Sequence, residues 1–347
     1  MKIISVANQK GGCGKTTLAV NVAAALARMG SETLLVDLDP QAHATYSLGY
    51  EKDAMERRTS YDIFRSYFDN EGIPLEDIII TGRDKMAFMP ANMSLSAAEI
   101  NLGNINGAAT LLAKTLADPF FNKFEYVIID SPPSFGFLAL NSMYAADMIL
   151  VPLDMSYFSF NGINSVYRVT SLLNSETGRQ PSIFFAMNIY DKRSNFAKHF
   201  EHDARKRLGP YLLPTKVRSS VRLREAAKYG KTIFEYDPES SAALDFYNIT
   251  SEVLAAEARN MDVAIREFML HAPSAGSVYV LGDFNDWRKT DANRLVKLEG
   301  GSWSTHFTLP KGRYRYKFLV DDEWWGDPGN PSAETNIFGT TDSVIEI

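Results

Sequence analysis

The octapeptide KGGCGKTT at residues 10–17 gathers the residue types that grip a polyphosphate. Gly11, Gly12 and Gly14 leave the backbone free to wrap close to an anion, so that successive N–H groups point inward. The segment lies between an apolar run at 2–7 (KIISVA) and an Ala-rich stretch at 16–29 with helical spacing. A helix N-terminus, with its positive end, therefore follows the loop. In that context Lys15 is placed to reach the β- and γ-phosphates and Thr16 to ligate Mg²⁺, with Cys13 and Thr17 completing the loop. Asp130 ends a second apolar run (EYVIID, 125–130) and can hold a metal-bound water. Asp37 ends a third, TLLVD at 33–37, and Asp39 follows two residues on.

These groups need a sheet that delivers them to one edge. Apolar runs at 2–7, 33–37, 86–90, 125–130, 147–152 and 182–188 are expected strands. Helical spacing at 16–29, 93–117, 137–146, 161–175 and 194–208 separates most of them, and a last helix is expected over about 239–260. Gly30 is placed to cap the first helix. Short apolar strands alternating with helices imply an α/β domain, a doubly wound and mostly parallel sheet of P-loop NTPase type. After residue 262 helical spacing stops. VAIREFMLHA, SVYVLGDF, WSTHFTLP, RYRYKFLVD and SVIEI alternate between Gly, Pro, Asn and Asp turns, implying an all-β, immunoglobulin-like sandwich. The expected domains are 1–260 and 263–347.

Composition bounds the rest. The chain has 347 residues, enough for two domains. Its single cysteine, Cys13, excludes an internal disulfide, a four-thiolate metal site and a cysteine-ligated iron–sulfur cluster. No apolar run approaches the roughly 20 residues that cross a bilayer. The N-terminus reads as a strand rather than a signal peptide, so a cytoplasmic location is expected.

The loop, with its second lysine at position 10, resembles the deviant Walker A motif of the ParA/MinD family. VDLDPQ at 36–41 and IIDSPPS at 128–134 match the same family. The resemblance is greatest to ParA proper and covers roughly 1–258, including PANMSLSAAEINL at 90–102, LALNSMYAADMILVP at 138–152, YDKRSN at 190–195 and VRLREA at 221–226. It implies an ATPase with ATP and Mg²⁺ as cofactors. It also implies a homodimer in the ATP state, with Lys10 crossing to the partner's phosphates. Asp39 would orient the attacking water, Asp37 would stand near the metal shell, and Asn188 would read the adenine edge. Slow basal turnover, stimulated by a ParB-like or cargo-adaptor protein, follows from the same resemblance. Cys13 departs from the family's usual valine, and Arg218, Ser219 and Ser220 stand where relatives have Pro-Arg-Asn.

Net charge is −6, yet residues 192–231 hold twelve Lys/Arg and three acids. Such a run is either a solvated face or a phosphate-binding one. ParA relatives bind DNA non-specifically through this part of the fold, which makes Arg218, Arg222 and Arg224, then Arg205, Lys206 and Arg207, the candidates. Nucleoid association would follow.

GDFNDW at 282–287, GSWSTHFTLPKGRYRYKFLVDDEWWGDPGNP at 301–331 and FGTTDSVIEI at 338–347 resemble the glycogen-binding domain of AMP-activated kinase β subunits. That resemblance puts Trp287, Lys317 and Trp324 on sugar-binding positions, with Phe338 closing over the chain and Asp342 replacing an asparagine. Trp303 and Tyr316 are expected in the core. Two functions compete. One is a positioning ATPase on nucleoid DNA whose β module serves as a cargo or α-glucan adaptor. The other is a carbohydrate- or energy-sensing ATPase switch that ignores DNA. A membrane-bound relative would need an amphipathic C-terminal helix where this chain has a strand pattern, so no membrane partner is expected.

Overall fold

The computed structural model describes residues 1–50, 57–69, 72–82, 84–103, 105, 107–156, 159–257, 263–336 and 338–347. The chain forms two compact units. The first comprises Met1–Asp154, Arg168–Asp191 and Leu213–Glu257; the second comprises Met155–Tyr167, Lys192–Leu212 and Ala258–Ile347. The sequence boundary expected at 260–263 falls largely outside the described residues.

In the first unit, β1 (Lys2–Val6), β2 (Thr33–Asp37), β3 (Met86–Met89), β4 (Tyr126–Asp130), β5 (Met148–Leu153), β6 (Ser182–Tyr190) and β7 (Leu212–Arg218) form one sheet in the order β3-β2-β4-β1-β5-β6-β7. The pairs β1–β4, β1–β5, β2–β3, β2–β4 and β5–β6 are all parallel. Strands β2 and β5 are buried along their whole length, and β4 from Val127 onward, as a parallel sheet covered on both faces requires. Chain order reverses around β1, which makes the carboxyl ends of β1, β2 and β4 the crevice where such folds bind ligands. Register fixes this edge: Val6 and Asp37 both pair with Asp130.

Helix α1 (Lys15–Arg28) packs an Ala- and Leu-rich face on the sheet and ends as the sequence predicts. Gly30 takes φ 103°, its N–H bonds Ala27 O, and Ser31 N–H reaches back to Leu26 O. The expected helix over 93–117 is instead broken into α4 (Leu95–Leu102) and α5 (Leu111–Leu116), with Gly107 at φ 81° between them. Sequence periodicity missed α2 (His43–Ser47), α3 (Ser60–Asp69) and the edge strand β7, whose Pro214 and Lys216 interrupt its alternation. Helices α6 (Phe137–Ala145), α7 (Ser159–Thr177), α8 (Asn195–Leu208), α9 (Val221–Lys228), α10 (Ile233–Tyr236) and α11 (Ser241–Glu257) follow; α8 lies in the second unit, α7 has residues in both, and the others complete the layers of the first.

The second unit holds β8 (Val263–His271), β9 (Val278–Gly282), β10 (Val296–Lys297), β11 (Ser302–Pro310), β12 (Arg313–Val320), β13 (Glu323–Trp325), β14 (Ala333–Thr335) and β15 (Thr341–Glu346). One sheet runs β10-β11-β8; the other runs β13-β12-β15-β14, with β9 also paired to β12. Phe268, Phe307 and Trp303 of the first sheet meet Val280, Tyr316 and Phe318 of the second in a closed core. Trp303 and Tyr316 are therefore core residues, as expected.

Helix α8 belongs to this second unit, and that changes the role of Arg207. Arg207 is fully buried; its guanidinium donates to His306 O (3.1 Å), Ala292 O (2.7 Å), Asn164 Oδ1 (2.5 Å) and Thr305 Oγ1 (2.7 Å). It also lies 5.4 Å from the ring centres of both Phe160 and Phe307. Burial pulls its pKa down to about 10. An arginine so enclosed cannot meet a DNA phosphate, which corrects its place among the DNA candidates. Arg207→Ala strands several buried acceptors and is expected to destabilise the second unit by about 3 kcal/mol or more, read as a lowered melting transition.

Candidate functional site

The chain leaves β1 at Val6 and turns directly into the glycine loop. Gly12 and Gly14 adopt φ of 76° and 85°, a left-handed backbone that side chains disfavour. A Cβ at residue 14 would also stand 2.3 Å from Asn188 Nδ2. Helix α1 opens on Gly14 with no side-chain cap, so its first N–H groups face an incoming anion. Lys15 is 7% exposed and donates from Nζ to Lys10 O at 3.0 Å. Cys13 is buried, its thiol donates to Lys10 O at 3.2 Å, and burial pushes its pKa up. It serves as an apolar filler in place of the family's valine.

Lys10 is anchored differently. Its N–H donates to Asn8 Oδ1 (3.1 Å), and Asn8 Nδ2 donates to Pro152 O (2.7 Å). Its ammonium pairs with Asp154 of the same chain, one residue beyond β5, and both side chains stay partly exposed. Sequence reading missed Asp154. The available signal was its position as the first polar residue after the MILVPL run.

The three carboxylates stand at the ends of neighbouring strands. Asp37 is fully buried; it accepts from Asp39 N (3.0 Å), Thr45 N (2.9 Å) and Thr45 Oγ1 (2.8 Å). Burial outweighs these three bonds and lifts its pKa to about 7. Asp130 is also fully buried, and neither oxygen has a hydrogen-bond partner. Burial, with the neighbouring Asp37 charge adding to it, pushes Asp130 well above the usual carboxylate range; the nearby Thr16 hydroxyl and Lys15 pull the other way. Asp39, 5% exposed, accepts from Gln41 N at 2.9 Å.

A buried carboxylate without a partner beside Thr16 and Lys15 suits a divalent cation. Among the described residues no cluster of three or more His, Cys, Asp or Glu forms a protein-only metal cage. A hard cation there would rest on Thr16, a carboxylate, water and phosphate oxygens, the donor set Mg²⁺ accepts.

Asn188, at 2% exposure, donates from Nδ2 to Cys13 O (2.9 Å) and Gly14 O (3.3 Å). The structure thus places it as a clamp on the loop, its amide hydrogens directed at the carbonyls of Cys13 and Gly14. Ile189 beside it holds φ 56°, a rare backbone for a β-branched residue.

The basic candidates separate. Arg205 pairs with Glu201, and Lys206 with Asp286. Arg218 is held by Asp245 through Nε (2.8 Å) and Nη2 (2.6 Å). Arg222 pairs with Glu225 and Asp237, while Arg224 is exposed on α9. Arg205, Lys206 and Arg207 lie in the second unit, and Arg218, Arg222 and Arg224 in the first.

In the second unit Trp287, Lys317, Trp324, Phe338 and Asp342 border one groove of about 610 Å³. The Trp287 and Trp324 rings stand 6.1 Å apart at 58°, with Trp324 53% and Phe338 82% exposed. Lys317 Nζ meets Thr340 Oγ1 (2.7 Å) and Asp342 Oδ1 (3.1 Å). Asn336 Nδ2 donates to Asp342 Oδ1 at 2.7 Å, so an amide reaches the groove although Asp342 itself has none. Sequence reading missed Asn336.

The family model of the AAA domain matches residues 1–183, and the model described as the glycogen recognition site of AMP-activated protein kinase matches 270–347. The sporulation initiation inhibitor protein Soj of Bacillus subtilis is 33% identical over 255 residues, 73% of this chain and 98% of that protein. The chromosome-partitioning ATPase Soj of Thermus thermophilus is 35% identical, covering 73% of this chain and 95% of its own length. Among solved structures, cobyrinic acid a,c-diamide synthase of Mycobacterium smegmatis with a bound ATP analogue and magnesium is similar at a TM-score of 0.63 and 26% identity, over 75% of this chain and 98% of that one. Apo McdA of Cyanothece shares the fold at a TM-score of 0.63 and 22% identity, over 73% and 99%.

Asp130 loses stability to the fold as it ionises, because its folded pKa lies above the unfolded value. That contribution is intact in acid and declines as pH rises through the folded pKa. Asp130→Asn is therefore expected to raise the melting temperature of nucleotide-free protein at pH 8 by about 2–4 °C, a gain on the order of 1 kcal/mol. The same variant should lose the extra stabilisation that Mg²⁺ adds to ATP. An Asn variant that melts below wild type at pH 8 contradicts this assignment.

Proposed function

This chain belongs to the ParA/Soj family of P-loop ATPases, and from that premise we propose that it is a nucleotide-switched dimer that hydrolyses ATP with Mg²⁺ to position or partition a cargo. The observation that carries the proposal is the convergence of the uncapped α1 N-terminus, buried Lys15 and the partnerless Asp130 carboxylate on one crevice. Mg²⁺, when bound, would neutralise phosphate charge as the terminal P–O bond breaks. Lys15 and the N–H groups of Gly11 to Thr17 hold the phosphates, and Thr16 and Asp130 hold the metal's shell, with Asp37 behind them. Asp39 orients the attacking water. Lys10, tied to its own chain by a half-open ion pair, exchanges Asp154 for the partner's phosphates as the dimer closes. Slow basal turnover follows from a site completed only across that interface, and an activating partner would accelerate it. A cytoplasmic, nucleoid-associated location goes with this function.

DNA contact in this proposal falls to Arg222 and Arg224 of α9, with the ion-paired Arg218, Arg205 and Lys206 secondary. Exposed ion pairs are weak, about 0–1 kcal/mol, so phosphate can displace their acids. One observation favours the competing function, an energy- or carbohydrate-sensing switch without DNA: four of the six candidates already have acidic partners and a fifth is buried. Under either function the groove of the second unit receives an α-glucan or a cargo.

The two lysines separate binding from assembly. Lys15→Ala should abolish ATP binding in calorimetry. Lys10→Ala should retain affinity within about threefold yet stay monomeric with ATP in sizing experiments. A Lys10→Ala protein that dimerises normally would remove the trans contact.

Pelleting with DNA tests the second half. Wild type should co-sediment with ATP but not ADP, weakening steeply between about 50 and 200 mM salt. Arg222→Ala with Arg224→Ala should lose most of this. Absence of ATP-dependent pelleting at low salt would leave the switch without DNA as the function.

A further inference from the structure

Helix α8 carries Phe196, His199 and Asp203 at helical spacing, which aligns them on one face. That face borders a cavity of about 390 Å³, opposite Tyr279, Lys289 and Asp291, all within the second unit. Its floor is rigid: Phe160 and Phe200 are 5% and 3% exposed, with ring centres 4.7 Å apart. Phe196, by contrast, is 50% exposed and offers its ring to solvent.

The cavity shares a sheet face with the tryptophan groove. Tyr279 pairs with Leu319, and Leu319 pairs with Trp324. Directly paired residues of antiparallel strands lie on the same face, so these three form one row across β9, β12 and β13. At about 4.8 Å per strand, Tyr279 lies about 10 Å from Trp324, roughly the span of two linked hexose rings. Lys289 stands 5.0 Å over the Tyr279 ring and pairs with Asp322.

We propose that this cavity is a second carbohydrate subsite, which receives the continuation of an α-glucan chain seated between Trp287 and Trp324. The proposal rests on the reading of the tryptophan groove as a glucan site. The chemistry of the cavity fits a neutral polyhydroxylated ring. The exposed face of Phe196 receives its C–H surface beside Tyr279, Asp203 and Asp291 accept from hydroxyls, and Lys289 and His199 donate to them. Two carboxylates oppose a phosphate or nucleotide, and a wholly apolar ligand would leave these charges desolvated. Asp203 is already partly desolvated, which raises its pKa. Because Phe196, His199 and Asp203 lie outside the 270–347 match, the subsite is a property of this fusion rather than of the β module alone.

Calorimetric titration of the full chain with maltotriose and maltoheptaose tests the subsite. Wild type should bind the longer sugar at least about tenfold more tightly. Phe196→Ala, on an exposed ring, and the isosteric Asp203→Asn should each remove most of that advantage and leave maltotriose unchanged. Trp324→Ala should weaken both sugars. Equal affinity of wild type for the two sugars, or variants that bind maltoheptaose as wild type does, would overturn the subsite while leaving the groove intact. A wild type that binds neither sugar would overturn the groove reading and the subsite with it.

Discussion

Two carboxylates share one end of an open parallel sheet covered on both faces, and water reaches neither. Asp37 and Asp130 are register partners on β2 and β4, both fully buried. Asp37 is stabilised by three hydrogen bonds and still rises to about 7; Asp130, whose carboxylate oxygens have no hydrogen-bond partner, is pushed well above its usual range by burial and by the neighbouring Asp37 charge. Two like charges in a low-dielectric site cannot both ionise cheaply. A cation reverses this, because it favours the ionised form of every ligand it touches. The remaining loop geometry serves the same end. Gly12 and Gly14 in left-handed conformations aim N–H groups at the phosphates that would bring the cation, and Asn188 holds the loop's carbonyls from behind.

Much of the crevice was legible because it is contiguous in sequence. Strand, glycine loop, Lys-Thr pair and Ala-rich helix follow one another without a break, and Asp37 and Asp130 each terminate an apolar run. What the sequence hid is non-local. Asp154 meets Lys10 across 144 residues, and Asn188 meets Cys13 across 175. Neither contact leaves a periodic trace. The helix expected over 93–117 failed for a local reason: a left-handed Gly107 outweighs the apolar spacing on either side. Strand β7 was missed because a proline and a lysine on an edge strand are tolerated there and look like a loop.

Arg207 illustrates how a charge count misleads. Counted with its neighbours it belongs to a basic segment; placed in the fold it is among the largest fully buried side chains of the described residues, bonded to three carbonyl groups (two backbone, one Asn164) and one hydroxyl. The helix that presents it also turns Phe196, His199 and Asp203 toward the β module's sheet. One helix of the ATPase sequence has thus been recruited to the second unit, and its charges answer to that packing before any external partner. The tryptophan groove shows the converse. There the residues expected from the sequence do converge, and Asn336 supplies the amide that Asp342 lacks.

The most direct test of the carboxylate account is proton release. Preformed Mg²⁺–ATP should be titrated into the protein near pH 7 in two buffers of different ionisation enthalpy. Ionisation of the Asp37–Asp130 pair on cation binding predicts release of up to about one proton per site, reduced in Asp130→Asn. Binding heats that do not change with the buffer would show the pair already ionised before the metal arrives, and would contradict the account.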